Sequence, residues 1–214
     1  MVNPEMLLFG VASPYAWDVL ESARRLELVA VCFDNVGGAD SRLPLIDQLS
    51  MPSVPFILGI SSAVNRVLAA RDAFGRGLSI PTSMIDPTAT VASTSVVGHG
   101  SYVNAGAVVA SNTRITCHVN VNRSASVGHD NVLAFGSSIG PGATLAGSVS
   151  IESGAFIGAG AVVLPGRTIA TQAVVGAGSV VTRDVGPGET VVGNPARVVR
   201  TLDIMSGVGP CPHC

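Results

Sequence analysis

The chain is poor in charge and in aromatic residues: of 214 residues, 12% are charged and 4% are Phe, Trp or Tyr, and the net charge is −2. Such a surface has neither the electrostatic footprint nor the stacking platforms that nucleic acid needs, so no nucleic-acid partner is expected. Long apolar runs are missing too. Mean hydropathy is +0.50, yet Gly, Ser, Thr or Asn breaks every apolar stretch well short of membrane-spanning length, and no membrane association is expected. The start, Met1-Val2-Asn3-Pro4-Glu5, lacks a basic region ahead of an extended apolar stretch. It does not read as a secretory signal, which makes the cytoplasm the default location. The cysteines at 32, 117, 211 and 214 are too sparse for a secreted disulfide framework. Cys211, His213 and Cys214 are soft metal ligands without the second pair of a zinc site; the terminus reads as a mobile tail, and no metal is expected.

What the chain has is a period of six. An aliphatic residue recurs at Ile85, Val91, Val97, Val103, Val109, Ile115, Val121, Val127, Leu133, Ile139, Leu145, Ile151, Ile157, Val163, Ile169, Val175 and Val181. Neither a helix nor an alternating strand has that period; hexapeptide β-helix repeats do, and their coils stack over one shared core. Two positions before the aliphatic the residue is usually small, as at Ala107, Ala125, Ala143 and Ala161. Residues two apart in a strand share a face, so both slots point inward. Three positions after the aliphatic come Gly100, Gly136, Gly154 and Gly166, with Asn112, Asp130 and Asp184 interspersed. These types tolerate positive φ and mark corners.

Three sides and three corners make a coil of eighteen residues, so the segment from Ile85 to about Gly186 predicts a triangular rod roughly 27 Å tall at about 4.8 Å per coil. The pattern itself is silent on handedness, and the general crossover rule favours a right-handed turn. Asn131 and Arg167 fall in inward slots. Burying an unpaired guanidinium is costly, so a local distortion is expected at Arg167.

The abrupt onset of the hexads divides the chain into residues 1–80, a β-helix unit of 81–200 and a tail of 201–214. In the first unit Met6 to Val11 reads as a strand and Ser13-Pro14 as the N-cap and first residue of a helix to about Leu26. Leu28 to Phe33 and Val54 to Ile60 read as further strands, with a second helix from Ala63 to about Phe74. That order predicts a small Rossmann-like parallel α/β sheet. Ligands of such sheets lie beyond the carboxyl ends of the strands, where Gly10 to Tyr15, Asp34-Asn35 and Gly59 to Ser61 should converge, with Gly10, Ser13, Asp34, Asn35, Gly59 and Ile60 as the candidate contacts. The helix N-terminus at Ser13-Pro14 suits a phosphate, although the loop Gly10 to Tyr15 is not G-x-G-x-x-G.

Histidine is the natural group for proton transfer at neutral pH. His99 and His129 stand two positions after an aliphatic and His118 in a corner slot, so all three lie at corners. Asp130 follows His129 and can orient its ring or stabilise an imidazolium, although a corner slot can also select Asp for its backbone alone. Three histidines on a β-helix also admit a zinc hydrolyase, but their separations do not match the γ-class carbonic anhydrases, which have a pair five residues apart.

The run VGHDNVLAFGSSIGPGATLAGSVSIESGAFIGAGAVVLPG from Val127, followed by VVGAGSVVTRDV and VVGNPARVVR, closely resembles the family of sialic-acid O-acetyltransferases and nucleotide-amino-sugar N-acetyltransferases. The motifs are Gly-His-Asp at 128 to 130, Pro-Gly-Ala-Thr-Leu-Ala-Gly at 141 to 147 and Gly-Asn-Pro-Ala-Arg at 193 to 197. Asp34-Asn35 and Leu58-Gly59-Ile60 with Arg66 also resemble the family's small sugar-nucleotide-binding domain. The resemblance implies a left-handed β-helix, a homotrimer, and acetyl-CoA lying between neighbouring prisms as co-substrate. It further implies His129 as base, supported by Asp130, acting on a nucleotide-linked amino sugar. The groups implied to face CoA are Ser138, Gly147, Gly158, Ala159, Ala177, Arg183 and Arg197. This chain departs from the pattern where members often carry a second histidine, here Ser138, and where they often carry glutamate, here Gly128. Transfer to a sugar hydroxyl uses the same parts, and a non-catalytic sugar-nucleotide scaffold would share the fold.

Overall fold

The computed structural model describes residues 5–46 and 53–205. Strand β1 (Met6–Phe9) lies between β2 (Ala30–Phe33) and β3 (Phe56–Leu58), all parallel, with helices α1 (Ala16–Arg25) and α2 (Ala63–Gly75). Alternation along β1 decides which helix each residue meets. Met6 and Leu8 cluster with Ala16, Val19, Leu20 and Ala23 of α1, whereas Leu7 and Phe9 cluster with Ala69, Ala70 and Ala73 of α2. The sheet is thus sandwiched between helices. Both outer strands are shorter than the sequence reading, and α1 begins at Ala16 with Tyr15, not Ser13, at its cap.

Seventeen two-residue strands, β4 (Met84–Ile85) to β20 (Val180–Val181), then form a parallel solenoid of about six turns. From β4 to β17 (Val162–Val163) each strand pairs with the one eighteen residues on: Asn120 is opposite Ser138, and Val121 opposite Ile139. Three sheets result. The first stacks Met84–Ile85, Tyr102–Val103, Asn120–Val121, Ser138–Ile139, Phe156–Ile157 and Val174–Val175; the second begins at Thr90–Val91 and the third at Val96–Val97. Val103, Val121, Ile139, Ile157 and Val175 form a column with 0% exposure. Burial of each such side chain is worth about 1.5–3 kcal/mol, so the stack, and not any single coil, holds the rod together.

The two misfit inward slots resolve differently. Arg167 turns outward, its Nε donating to the Pro165 carbonyl at 3.2 Å and its guanidinium 3.5 Å from Asp184, while Thr168–Ile169 keeps its register. Asn131 stays inside at 0% exposure, where its Oδ1 accepts from the Val149 N–H. It continues an inward polar column in which Ser95 Oγ and Thr113 Oγ1 accept from the backbone one coil on. At the far end, β21 (Glu189–Gly193) pairs with Val174–Val175 and then antiparallel with β22 (Ala196–Thr201). The chain stays in place through Met205, which exchanges two hydrogen bonds with Gln172. The rest of the expected tail, with Cys211, His213 and Cys214, lies outside the described residues.

The α/β unit docks on the coils through apolar contacts, with Met84 and Tyr102 in the α1 cluster and Val67 against Cys117 and Phe135, and through polar ones. Asp86, 0% exposed, accepts from Ser22 of α1, Arg25 Nη1 and both the N–H and hydroxyl of Thr88. Tyr102 Oη meets Ser22 at 2.6 Å and donates to Asn104. Arg66, on α2, is 2% exposed and makes no ion pair with a carboxylate among the described residues. Instead it donates to the carbonyls of Ile60, Ser61, His118, Gly136 and Ser137 and to Ser138 Oγ. Desolvation lowers its pKa to about 10, so it remains a cation. Arg66 therefore fastens the loop after β3 to the coils.

Candidate active site

Gly-His-Asp at 128–130 makes the corner between the second and third sheets, because Ser126–Val127 belongs to the former and Val132–Leu133 to the latter. Asp130 takes φ +55° there, and its N–H donates to the Ser111 carbonyl one coil below. His129 is held from two directions. Its Nδ1 lies 2.7 Å from Asp130 Oδ2, and its Cε1–Nε2 edge lies over Gly147, where an added Cβ would come within 2.5 Å of both atoms. The ring is 64% exposed and Nε2 is directed away from the carboxylate. Hydrogen bonds from His129 and then Asn112 hold the Asp130 carboxyl below its usual range, so it is an anion at neutral pH. This is a histidine with one nitrogen anchored to a carboxylate and the other available for a proton.

The repeat places Gly147, Pro165 and Arg183 in the same outward column as His129, each one coil further on. Arg183 is thus three coils from the histidine, about 14 Å along the rod. There it borders a cavity of about 150 Å³ together with Arg197. Gly158, Ala159 and Ala177 lie at another corner, between the first and second sheets. Gly158 and Ala177 touch, since a Cβ on Gly158 would sit 2.5 Å from the Ala177 nitrogen. The expected CoA-facing residues therefore fall on two corners of one chain. Ser138 differs from the rest: it is 1% exposed, with Oγ accepting from Arg66 and donating to the Ser61 carbonyl. Those bonds tie it to the docked unit.

Beyond the carboxyl ends of β1 and β3 lies a cavity of about 490 Å³ lined by Gly10, Ala12, Ser13, Asn35, Ile60, Asn65 and Asp72 among others. Gly10 has φ +77°, and a side chain there would meet Ile60 at 2.7 Å. Asn35 donates to Asp72 Oδ2, while Ser13 Oγ accepts from the Tyr15 N–H. Two expected members stand back from the wall. Asp34 spends its carboxylate on the N–H groups of Val36, Gly37 and Ala39, and Gly59 packs under Gly10 and Ala16. Arg66 is likewise directed into the domain junction.

A second cavity, of about 280 Å³, opens where this unit meets the first sheet, lined by Tyr15, Ser61, Asn120, Asn122, Ser138 and Phe156 among others. Tyr15 and Ser61 belong to the loops expected at the crevice, whereas the sequence reading gave Asn120 and Asn122 no role. The alternation Val119-Asn120-Val121-Asn122 does put both amides outward, but outward polar residues are ordinary on a solvated coil. The histidines do not converge: His99 and His118 are at the corner between the third and first sheets, one corner away from His129. No cluster of three metal-ligating side chains occurs among the described residues.

No family model and no curated protein matches the chain. Solved structures do. The acetyltransferase domain of PglB from Neisseria gonorrhoeae, in complex with acetyl coenzyme A, is 30% identical over 92% of this chain and 100% of that one, with a TM-score of 0.83. A variant of perosamine N-acetyltransferase from Caulobacter crescentus, in complex with CoA and GDP-perosamine, is 29% identical over 92% and 97% of the two chains, with a TM-score of 0.82. WeeI from Acinetobacter baumannii is 26% identical over 91% and 99%, with a TM-score of 0.80. The solenoid matches a left-handed β-helix, so the general crossover preference does not apply here. With the repeat, the anchored histidine and a 30% identical relative covered end to end, the chain belongs to the hexapeptide-repeat acyltransferases, in the family of sialic-acid O-acetyltransferases and nucleotide-amino-sugar N-acetyltransferases.

Proposed function

We propose that the protein transfers the acetyl group of acetyl-CoA to the amino group of a nucleotide-linked sugar, with His129 as general base. The observation that carries this reading is the exposed His129 ring with Nδ1 fixed on the Asp130 carboxylate, at the head of a column that ends in Arg183, beside Arg197. The sugar amine attacks the thioester carbonyl carbon as Nε2 of His129 accepts the amine's proton. Collapse of the tetrahedral oxyanion breaks the carbon–sulfur bond and expels the CoA thiolate, which takes that proton back. Arg183 and Arg197 supply charge for CoA phosphates. The side-chain-free surfaces at Gly147 and at Gly158, Ala159 and Ala177 let the pantetheine arm lie flat against the coils.

Residues 1–80 act in this reading as the nucleotide-binding domain, residues 81–200 as the acyltransferase domain, and the 490 Å³ cavity receives the nucleotide. The His129 corner is the vertex opposite the first sheet, on which the α/β unit sits. A sugar bound by one copy is then served by the His129 of a neighbour, as in a homotrimer with CoA between prisms. Placement of the CoA-facing residues on two corners supports the same assembly. The test is mass-spectrometric detection of acetylated product from acetyl-CoA and a panel of GDP-, UDP- and dTDP-linked amino sugars. Product is expected with wild type, and turnover roughly 10²- to 10⁴-fold lower with His129→Ala. Equal turnover in that variant would remove His129 from the mechanism.

A further inference from the structure

Tyr15 and Asn120 form a pair that neither the proton transfer nor the CoA column uses. Asn120 is 3% exposed, and its Oδ1 accepts from the Tyr15 hydroxyl at 2.6 Å. Burial raises the Tyr15 phenol well above its ordinary value, so it keeps its proton and can only be the donor toward that oxygen. The amide is thereby oriented: Nδ2 is left with no hydrogen-bond partner among the described residues, in the wall of the 280 Å³ cavity. The side chain as a whole is nearly buried, so its amide is fixed in place while the nitrogen keeps one open side, toward the cavity. A ligand oxygen would satisfy it.

Position tells which ligand. Tyr15 and Ser61 follow the ends of β1 and β3, the same strand ends whose loops line the nucleotide cavity through Ser13 and Ile60. The two cavities are thus lined by neighbouring residues of the same two loops, Ser13 and Tyr15 in one loop and Ile60 and Ser61 in the other. Ser138, another hydroxyl of that wall, is already committed to Arg66 and the Ser61 carbonyl. We propose that Asn120 Nδ2, oriented by Tyr15, is a specificity-determining donor that holds a ring or hydroxyl oxygen of the acceptor's sugar. This rests on the reading of the larger cavity as the nucleotide site. Asn120 would touch substrate directly, whereas Tyr15 is a positioning residue.

The test compares, by calorimetry on the full chain, each free nucleoside diphosphate (GDP, UDP, dTDP) with its amino-sugar derivative. Wild type, Asn120→Ala, Asn120→Asp and Tyr15→Phe are each measured, with thermal unfolding to confirm folding. The wild type should bind the sugar derivative of its preferred nucleotide more tightly than the free nucleotide. Asn120→Ala and Asn120→Asp should each lose roughly ten-fold of that increment, the value of one satisfied buried hydrogen bond, while free-nucleotide affinity stays within about two-fold. Tyr15→Phe, which frees the amide to rotate, should lose a smaller part. A sugar increment retained in folded Asn120→Ala, or absent from the wild type for every nucleotide, would overturn the inference. So would a loss confined to the KM of acetyl-CoA, which would place Nδ2 on the thioester. The failure of the transferase reading shows separately, as absence of acetylated product from wild type.

Discussion

Replacing Arg66 with methionine keeps the aliphatic stem and removes every donor, which isolates the guanidinium's contribution. The carbonyls of Ile60 and Gly136 accept from Arg66 and from no other described residue, so both lose their partner, Gly136 at a buried position and Ile60 at a half-buried one. Each orphan costs about 1–3 kcal/mol, and relief of the guanidinium's own desolvation offsets part of the sum. A net loss of about 3 kcal/mol follows, or roughly 6–12 °C in the unfolding midpoint for a chain of this size. The bonds lost also tether Ile60 and Ser61, which line the two cavities, so nucleotide affinity should fall with stability. Arg66→Lys should rescue little, because one ammonium cannot reach acceptors spread over the Ile60, His118 and Gly136 segments. Differential scanning calorimetry and titration with GDP and UDP measure both effects. Unchanged stability together with lost nucleotide affinity would refute this account, because it is what a phosphate-binding arginine would produce.

Gly147→Ala should place a methyl group 2.5 Å from the His129 ring edge without straining the backbone, displacing the ring; turnover should drop about 10²-fold at constant melting temperature, as steady-state kinetics would show. Asp130 can be separated from its corner by Asp130→Gly, since glycine fits φ +55° at least as well. Stability should hold while turnover falls about ten-fold or more; full activity would make Asp130 a backbone choice only. Acid should undo the domain junction at Asp86. Burial pushes its carboxyl up, but hydrogen bonds from Ser22, Thr88 and Arg25 outweigh this and bring it down to about 2 from 3.8. A depressed folded-state value contributes stability that is fully present above pH 3.8 and is lost as pH falls from there toward 2. The loss amounts to about 2 kcal/mol, and Asp86→Asn should flatten that part of a denaturation-versus-pH curve.

The rod was legible in the sequence because each slot of the hexad has a local meaning: strand alternation sends Val121 inward and Asn120 outward, whatever the rest of the chain does. His129 was legible for the same reason, standing at a corner beside a carboxylate that the corner itself positions. What an outward residue meets is a different matter. Asn120, Ser138, Tyr102 and Asp86 belong to coils that elsewhere face solvent, and only the docked α/β unit buries them. Nothing in the period announces that docking, so the contact between Arg66 and Ser138 could not be read from the hexad. Their partners lie 72 to 105 residues apart in Arg66–Ser138 and Tyr15–Asn120, beyond the reach of any local pattern. The first sheet's outward face is therefore two surfaces in one sequence pattern: a domain junction over its early coils, and an open wall beginning where Asn120 Nδ2 has no partner among the described residues.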